Sequence, residues 1–455
     1  MGKKEAKRKD QFGSKFGIIA AAAGSAVGLG NIWKFPYITG NNGGAAFLIV
    51  YLFFIFLIGF PIMTSEFIIG RKTGRNVHGA FERLAPGKTW GKFGYLGIFA
   101  AFTILSFYCV VAGWSIEYLI NSLSNSFWEL TPQQYSDLFD SLVVSGIKPV
   151  IYLVIFMSLT ALIVMAGVKD GIEKYAKILM PFLLLIIIIL DIRAITLPGA
   201  SKGLEFFFRP DFSKLNAHAV LEALGHAFFS LSLGMGVLIT YGAYVGKKEN
   251  LSTTALQVTI ADTVIAILAG VAIFPAVFAF DLNPGAGPGL VYKTLPIVFQ
   301  QMPAGHFFGF MFFLLLLIAA LTSSISLLEV VVAYFVDELK MVRKNATIMA
   351  AALITILSIL CSLSLGSVKI NLFGLSFFDL LDKISSNFAL PIGGFSIAIF
   401  AGWYLKRKSV KQELTNNNTL QVKWFGIFMF LVKWLAPFGI GVVFLYKLGL
   451  FNLFK

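Results

Sequence analysis

The chain has 455 residues, of which 57% are hydrophobic and only 13% charged, with a formal net charge of +14. A soluble protein carries about 25% charged residues, so this composition excludes a soluble globular domain and points to a polytopic membrane protein. The positive charge could suggest nucleic acid, but an excess of Lys and Arg in cytoplasmic loops explains it more simply, and no nucleic-acid partner is expected.

Eleven apolar segments follow in order, at roughly 16–38, 44–70, 93–123, 149–167, 176–197, 218–244, 255–280, 307–336, 347–366, 376–403 and 424–449. The basic start (Lys3, Lys4, Lys7, Arg8, Lys9, Lys15) leads into the first segment without a cleavage-like site, so no cleavable signal peptide is expected. Basic residues recur after the second, eighth and tenth segments. The loop 124–148 instead carries Glu129, Asp137 and Asp140 against Lys148. That asymmetry places the N-terminus in the cytoplasm and the C-terminus outside, in a multi-pass protein expected in the plasma (inner) membrane of a bacterium. The expected organisation is a cytoplasmic tail over 1–15, helices 1–5 over 16–197, an extracellular loop over 198–217, helices 6–10 over 218–403, and a cytoplasmic loop with helix 11 over 404–455. Cys109 and Cys361 both lie in apolar runs and read as packed, reduced thiols, with no disulfide framework.

The first segment holds an anomaly. Gly24-Ser25-Ala26-Val27-Gly28-Leu29-Gly30-Asn31 places several glycines inside an otherwise regular span. Each weakens a helix interior by roughly 0.5–1 kcal/mol relative to Ala. Open backbone survives inside a bilayer only where it lines a cavity or is buried in protein. The sixth segment repeats the device at Gly234-Met235-Gly236. Five spans separate the two, so the broken helices enter from opposite sides. That is the mark of an inverted repeat with a binding site between two discontinuous helices.

These residues carry a resemblance. Gly24 to Pro36 followed by Asn42-Gly43-Gly44 resembles the first-helix signature of the neurotransmitter:sodium symporter family. Phe228-Phe229-Ser230-Leu231-Ser232-Leu233-Gly234 resembles its sixth helix, Leu321-Thr322-Ser323-Ser324 its eighth, and Phe60-Pro61 with Glu66 and Gly70-Arg71 its second. The match runs in order along nearly the whole chain and is most similar to the eleven-helix bacterial amino-acid transporters. The resemblance implies an all-α fold of LeuT type, a 5+5 inverted repeat with discontinuous helices 1 and 6 and one extra helix.

It also implies two sodium sites, built from the hard oxygen ligands such ions need. The first takes Ala26, Asn31 and Ser230, with Asp262 where the family usually has Asn. The second takes the carbonyls of Gly24, Val27 and Ala319 with the hydroxyls of Thr322 and Ser323. Animal members use chloride near Asp262. Its carboxylate could supply that negative charge, so no chloride requirement is expected, with Tyr51 and His226 as neighbours of the former anion site. The alternative is an Asp paired simply with His226 or buried water. Glu66 resembles a carboxylate that braces the broken first helix by accepting its freed amides.

For the substrate, the amides of Leu29 and Gly30 with the Tyr108 hydroxyl would hold a carboxylate. The carbonyls of Ala26, Phe229 and Ser230 and the Ser232 hydroxyl would hold an ammonium. Ile104, Phe229, Met235, Ser323 and Leu327 would face the side chain. Family members that carry monoamines place an Asp at the position of Ser25, so Ser25 points to an amino acid. The apolar pocket points to a large hydrophobic or aromatic one: Tyr, Trp, Phe or Leu.

Lys34 with Asp382, or with Asp379 as second choice, matches the outer gate, with Tyr108 and Phe229 as its inner layer. Lys9 with Asp337, near Tyr244, matches the inner gate. Gly171 and Pro181 resemble a motif that unwinds span five. The function read from all this is sodium-coupled, chloride-independent symport of hydrophobic or aromatic L-amino acids, by a monomer or weak homodimer in contact with membrane lipid. A proton-coupled transporter of the same fold is the alternative, and an ion channel a more distant one. No enzyme is expected, because His78, His218, His226 and His306 are scattered and no nucleophile–base spacing occurs.

Overall fold

The fold is that of a computed structural model, which describes residues 11–282, 287–366, 368 and 370–447. Among the described residues, nine helices are long and apolar enough to cross a membrane: Ala45–Thr73, Gly91–Asn121, Lys148–Met165, Val168–Ile195, Leu251–Ala279, Gly305–Asp337, Arg343–Ser364, Phe377–Tyr404 and Phe425–Tyr446. A tenth span is the pair Lys15–Ala26 and Gly30–Asn41, bent by 44°. The remaining element in the expected order is Ala217–Ser230 followed, after an irregular stretch, by Val237–Gly242. Outward-facing apolar side chains such as Ile151, Ile178, Leu185, Ile356 and Phe438 are exposed, as expected where lipid tails rather than water meet the surface.

Both breaks have local causes. Ser14 caps the first helix, its hydroxyl accepting from the Gly17 amide at 3.0 Å. That helix ends at Val27, whose backbone is extended, and restarts at Gly30 in a wide turn leading to Phe35–Asn41, with Pro36 in the first turn. In the sixth span, Ser232, Gly234 and Gly236 all have positive φ (54°, 77° and 77°). Gly234 also lies against the tenth span: a Cβ there would sit 2.5 Å from the Leu390 carbonyl oxygen and 2.9 Å from the Gly394 nitrogen. Left-handed backbone costs an L-residue about 1–2 kcal/mol, and overpacking about 1–3 kcal/mol more. Gly234→Ala should therefore destabilise the protein by about 2–5 kcal/mol, seen as a lower midpoint of thermal unfolding in detergent. An unchanged midpoint would mean the two spans separate easily at this point.

Three features depart from the sequence reading. Span five starts at Val168 rather than near 176. The charged run Lys169-Asp170…Glu173-Lys174…Lys177 hides a helix start, because Glu173 is buried against the first span. The unwinding expected between Gly171 and Pro181 is confined to a wide turn over Val168–Glu173, and the helix runs unbroken through Pro181. The stretch 198–217 is not a plain loop. It contains the helix Ala200–Phe208, whose buried Phe207 packs its ring on Phe35 at 6.3 Å and on Phe274 at 5.2 Å.

Candidate functional site

The two breaks face each other in the core, and three groups of atoms gather there. The first group is fully buried. Asp262, from the helix Leu251–Ala279, accepts from Asn31 Nδ2 at 2.8 Å, from Ser230 Oγ at 2.8 Å and from the Tyr51 hydroxyl at 3.4 Å. Tyr51 also donates to Ser230 Oγ at 3.1 Å, and Asn31 Oδ1 accepts from the Gly28 amide at 3.4 Å. A buried carboxylate needs such donors. All three side-chain partners are neutral, and no basic side chain pairs with Asp262 among the described residues. The arrangement therefore sets a buried carboxylate without a basic partner beside opened backbone, a setting in which a bound cation would supply the missing compensation. Asp262 is not paired with His226. The His226 ring stacks on Phe35 at a centroid distance of 5.8 Å and lies tilted against Tyr51 at 5.4 Å, and its nitrogens have no hydrogen-bond partner among the described residues.

The second group lies where the first span meets the eighth. Thr322 Oγ1 reaches the Val27 carbonyl at 3.5 Å and the Ala319 carbonyl at 3.1 Å. Ser323 Oγ donates to the carbonyls of Gly24 and Ser25 at 3.2 and 2.9 Å. The atoms expected of the second sodium site thus converge from two helices, and the Gly24, Ser25 and Val27 carbonyls at the break each meet a hydroxyl of the eighth span. One hydroxyl proton shared among several carbonyl oxygens leaves lone pairs that a small hard cation can take.

Between the two groups lies a cavity of about 20 Å³. Ala26, Gly28, Gly30 and Ser25 of the first break line one side, and Phe229, Ser232 and Met235 of the second break the other. Ile104, Tyr108, Ser323 and Leu327 close it. Two expected contacts, Leu29 and Ser230, do not line it: the Leu29 amide donates to the Tyr108 hydroxyl at 3.0 Å, and Ser230 is turned to Asp262. Gly28 is required by close approach, since a Cβ there would overlap Ser323 Oγ and lie 2.8 Å from the Tyr108 oxygen. No acidic side chain lines this cavity among the described residues.

A larger cavity of about 740 Å³ opens above it, lined by Lys34, Asp382, Glu222, His226, Phe229 and Tyr446 among others. Phe229 lines both cavities, so its ring is the partition between them. Lys34 Nζ stands 4.7 Å from the Phe229 ring centroid and 3.8 Å from Asp382 Oδ1. Asp379 takes a different role, accepting from Ser376 Oγ at 2.6 Å at the start of Phe377–Ile384.

The opposite end is sealed. Phe12 donates its amide to the Tyr244 carbonyl at 3.2 Å and packs its ring on Tyr241 and Tyr244 at 5.6 and 6.2 Å. The Tyr244 hydroxyl donates to Glu329 at 2.6 Å, and Arg343 holds the same carboxylate at 2.5 Å. Glu173 accepts from the Gly13 amide at 2.5 Å and from Ser14 Oγ at 2.9 Å. Lys9, the expected partner of Asp337, lies outside the described residues, and Asp337 accepts from the Asn76 amide at 2.9 Å. Sequence reasoning missed Glu329, Arg343 and Glu173, although an acid inside an apolar span is a functional signal by itself.

Glu66 requires a correction. Its Oε1 accepts from the Gly234 amide at 2.8 Å, so it braces the break in the sixth span rather than the first. Phe60–Thr73 packs closely against Val237–Gly242, and Gly70 permits this because a Cβ there would overlap the Ile239 carbonyl. The carboxylate thereby reaches the sixth span.

The model of the sodium:neurotransmitter symporter family matches residues 9–140 and 125–453. A Bacillus subtilis protein described as the uncharacterized sodium-dependent transporter YhdH is 38% identical over 97% of this chain and 98% of its own. An uncharacterized sodium-dependent transporter of Haemophilus influenzae is 37% identical over 97% of this chain and 99% of its own. Among solved structures, MhsT in complex with L-phenylalanine superposes with a TM-score of 0.90, at 46% identity, covering 96% of this chain and 100% of that one. Fold and site define an all-α polytopic membrane transporter of LeuT type. The chain belongs to the sodium:neurotransmitter symporter family and is a sodium-dependent symporter.

Proposed function

We propose that the chain imports large hydrophobic or aromatic L-amino acids, such as Tyr, Trp, Phe or Leu, together with two sodium ions and without chloride. The observation that carries this reading is the Asp262 cluster, which sets a buried carboxylate, with no basic partner among the described residues, against Asn31 beside the first break and Ser230 beside the second. One ion would sit at Ala26, Asn31, Ser230 and Asp262, the other at Gly24, Val27, Ala319, Thr322 and Ser323. The fixed charge of Asp262 takes the place an added anion would fill. The intact pair of hydroxyls at Thr322 and Ser323 favours sodium over a proton as the driving ion.

The amino acid would lie in the small cavity, its carboxylate against the first-span break and the Tyr108 hydroxyl, its ammonium against Ser232 and nearby carbonyls. Ile104, Met235 and Leu327 offer only apolar surface to the side chain, and Met235 adapts its shape readily. A cavity of about 20 Å³ holds roughly one water, so an aromatic substrate must displace Phe229 and Met235 on entering. With the tail in the cytoplasm of a bacterial inner membrane, the larger cavity faces outside, Lys34–Asp382 and Phe229 gate the entrance, and the Phe12–Tyr244 and Glu329–Arg343 contacts seal the exit. That MhsT was solved with L-phenylalanine supports an aromatic substrate here. The transport cycle needs no bond made or broken.

The test is competition against uptake of labelled L-phenylalanine into sodium-driven proteoliposomes. Tyrosine, tryptophan and leucine should compete, while glycine and tyramine, which lacks the carboxylate, should not. Competition by tyramine equal to that by tyrosine would overturn the amino-acid reading.

A further inference from the structure

Three hydroxyls form a chain at the floor of the small cavity, and a fourth, that of Ser323, joins them through the Ser25 carbonyl. Ser326 Oγ lies 2.8 Å from Ser25 Oγ and 2.7 Å from the Ser323 carbonyl. Ser25 Oγ lies 3.1 Å from Ser232 Oγ. Ser232 Oγ and Ser323 Oγ both donate to the Ser25 carbonyl at 2.9 Å. All four residues are buried, and Ser25, Ser232 and Ser323 line the cavity while Ser326 stands behind Ser25.

A serine hydroxyl has one proton to donate and two lone pairs. Ser232 gives its proton to the Ser25 carbonyl, so its lone pairs face Ser25 and the cavity. Ser326 is also hydrogen-bonded to the Tyr241 hydroxyl. With Tyr241 donating to Ser326, Ser25 and Ser326 have two self-consistent arrangements. In the first, Ser326 donates to Ser25 and Ser25 donates to Ser232. In the second, Ser326 donates to the Ser323 carbonyl and Ser25 donates back to Ser326. The second turns the Ser25 proton away from the cavity and releases Ser232 from its donor. It leaves Ser25 and Ser232 together as acceptors, the surface that an ammonium with only donors requires.

We propose that Ser326 is a positioning residue for the substrate ammonium: its hydroxyl receives the Ser25 proton so that Ser25 and Ser232 can both accept from the bound cation. The protons only reorient on their own oxygens. The Ser323 carbonyl is the terminal acceptor that makes the reversal possible, and it lies within reach only because Ser326 is one turn further along the eighth span. Without the Ser326 hydroxyl, Ser25 has only Ser232 to donate to among the described residues, and that donor competes with the ammonium for the same lone pairs. The inference rests on the proposed amino-acid substrate.

The experiment is sodium-driven uptake of labelled L-phenylalanine, or of whichever aromatic amino acid the wild-type protein carries, by Ser326→Ala and Ser326→Thr. Ser326→Ala should raise KM about tenfold with the maximal rate within twofold, the size expected for one hydrogen bond to a charged group. Ser326→Thr, which keeps the hydroxyl, should return KM to within about threefold of wild type. The shift in melting temperature on adding sodium alone should equal that of wild type in both variants. An unchanged KM in Ser326→Ala would overturn the proposal. So would a loss of the sodium-induced melting shift, or a failure of Thr to rescue, because either marks a packing role. If wild-type protein carries no amino acid with sodium, the substrate reading itself fails, and that outcome is distinct from all of these.

Discussion

Replacing Asp262 with Ser should abolish uptake in chloride-free buffer and restore a measurable share of it when chloride is added. Asn31, Ser230 and Tyr51 all aim donors at the carboxylate, at 2.8, 2.8 and 3.4 Å. Removing it leaves those N–H and O–H groups without an acceptor and the adjacent cation site without its negative charge. Breaking a buried charge pair by deleting one partner costs about 3–5 kcal/mol, or roughly a hundredfold to a few thousandfold in ion affinity. The smaller Ser side chain leaves room beside three ready donors, and chloride accepts hydrogen bonds from such groups. Initial rates of sodium-driven uptake, with gluconate or chloride as the anion, measure the effect. Wild-type protein should be indifferent to the anion. An Asp262→Ser variant that transports at the wild-type rate in gluconate would show that the carboxylate plays no part in ion binding.

Thr322→Val should raise the sodium concentration for half-maximal uptake by at least tenfold, with a smaller change in amino-acid KM at saturating sodium. The substitution keeps the branched shape and removes the hydroxyl that approaches the Val27 and Ala319 carbonyls. One oxygen ligand to a charged partner contributes about 1.5–3 kcal/mol, which is a factor of roughly 10 to 150. Thr322→Ser keeps the oxygen and should remain within about threefold of wild type. The alternative role for this hydroxyl is a helix-capturing bond to Ile318, which it also reaches at 3.2 Å. Loss of that bond alone would leave the sodium titration where it was and lower only the melting temperature.

The site was legible where its cause is local. Gly24, Gly28 and Gly30 inside an apolar run announce a break without any partner in view, and Gly234 with Gly236 does the same five spans later. The cluster around Asp262 could be anticipated because an intramembrane acid is costly and rare. What stayed hidden depends on how distant elements pack. Glu66 was assigned to the wrong break because nothing in Phe60–Thr73 says that its carboxylate points to Gly234. Glu329 and Arg343 are fourteen positions apart in sequence, yet their direct pairing, with Tyr244 donating to the same carboxylate, appears only once the eighth and ninth spans are set side by side. The early start of span five was masked because a buried Glu173 looks in sequence like part of a solvated charge run. The cavity's size is a property of packing, and a pattern of apolar residues carries no volume. Ser326 was passed over for a similar reason: a hydroxyl within a membrane helix usually bonds its own backbone, and its second neighbour, Ser25, comes from another span.

The most direct measurement is uptake of labelled aromatic amino acid into proteoliposomes under separately imposed gradients of sodium, protons and chloride. Accumulation above equilibrium should follow an inward sodium gradient alone, persist when chloride is replaced by gluconate, and fall at least tenfold in Asp262→Ala. Accumulation driven by a proton gradient without sodium, or collapse of sodium-driven uptake without chloride, would contradict the assignment of Asp262 and Thr322–Ser323 to the coupling ions.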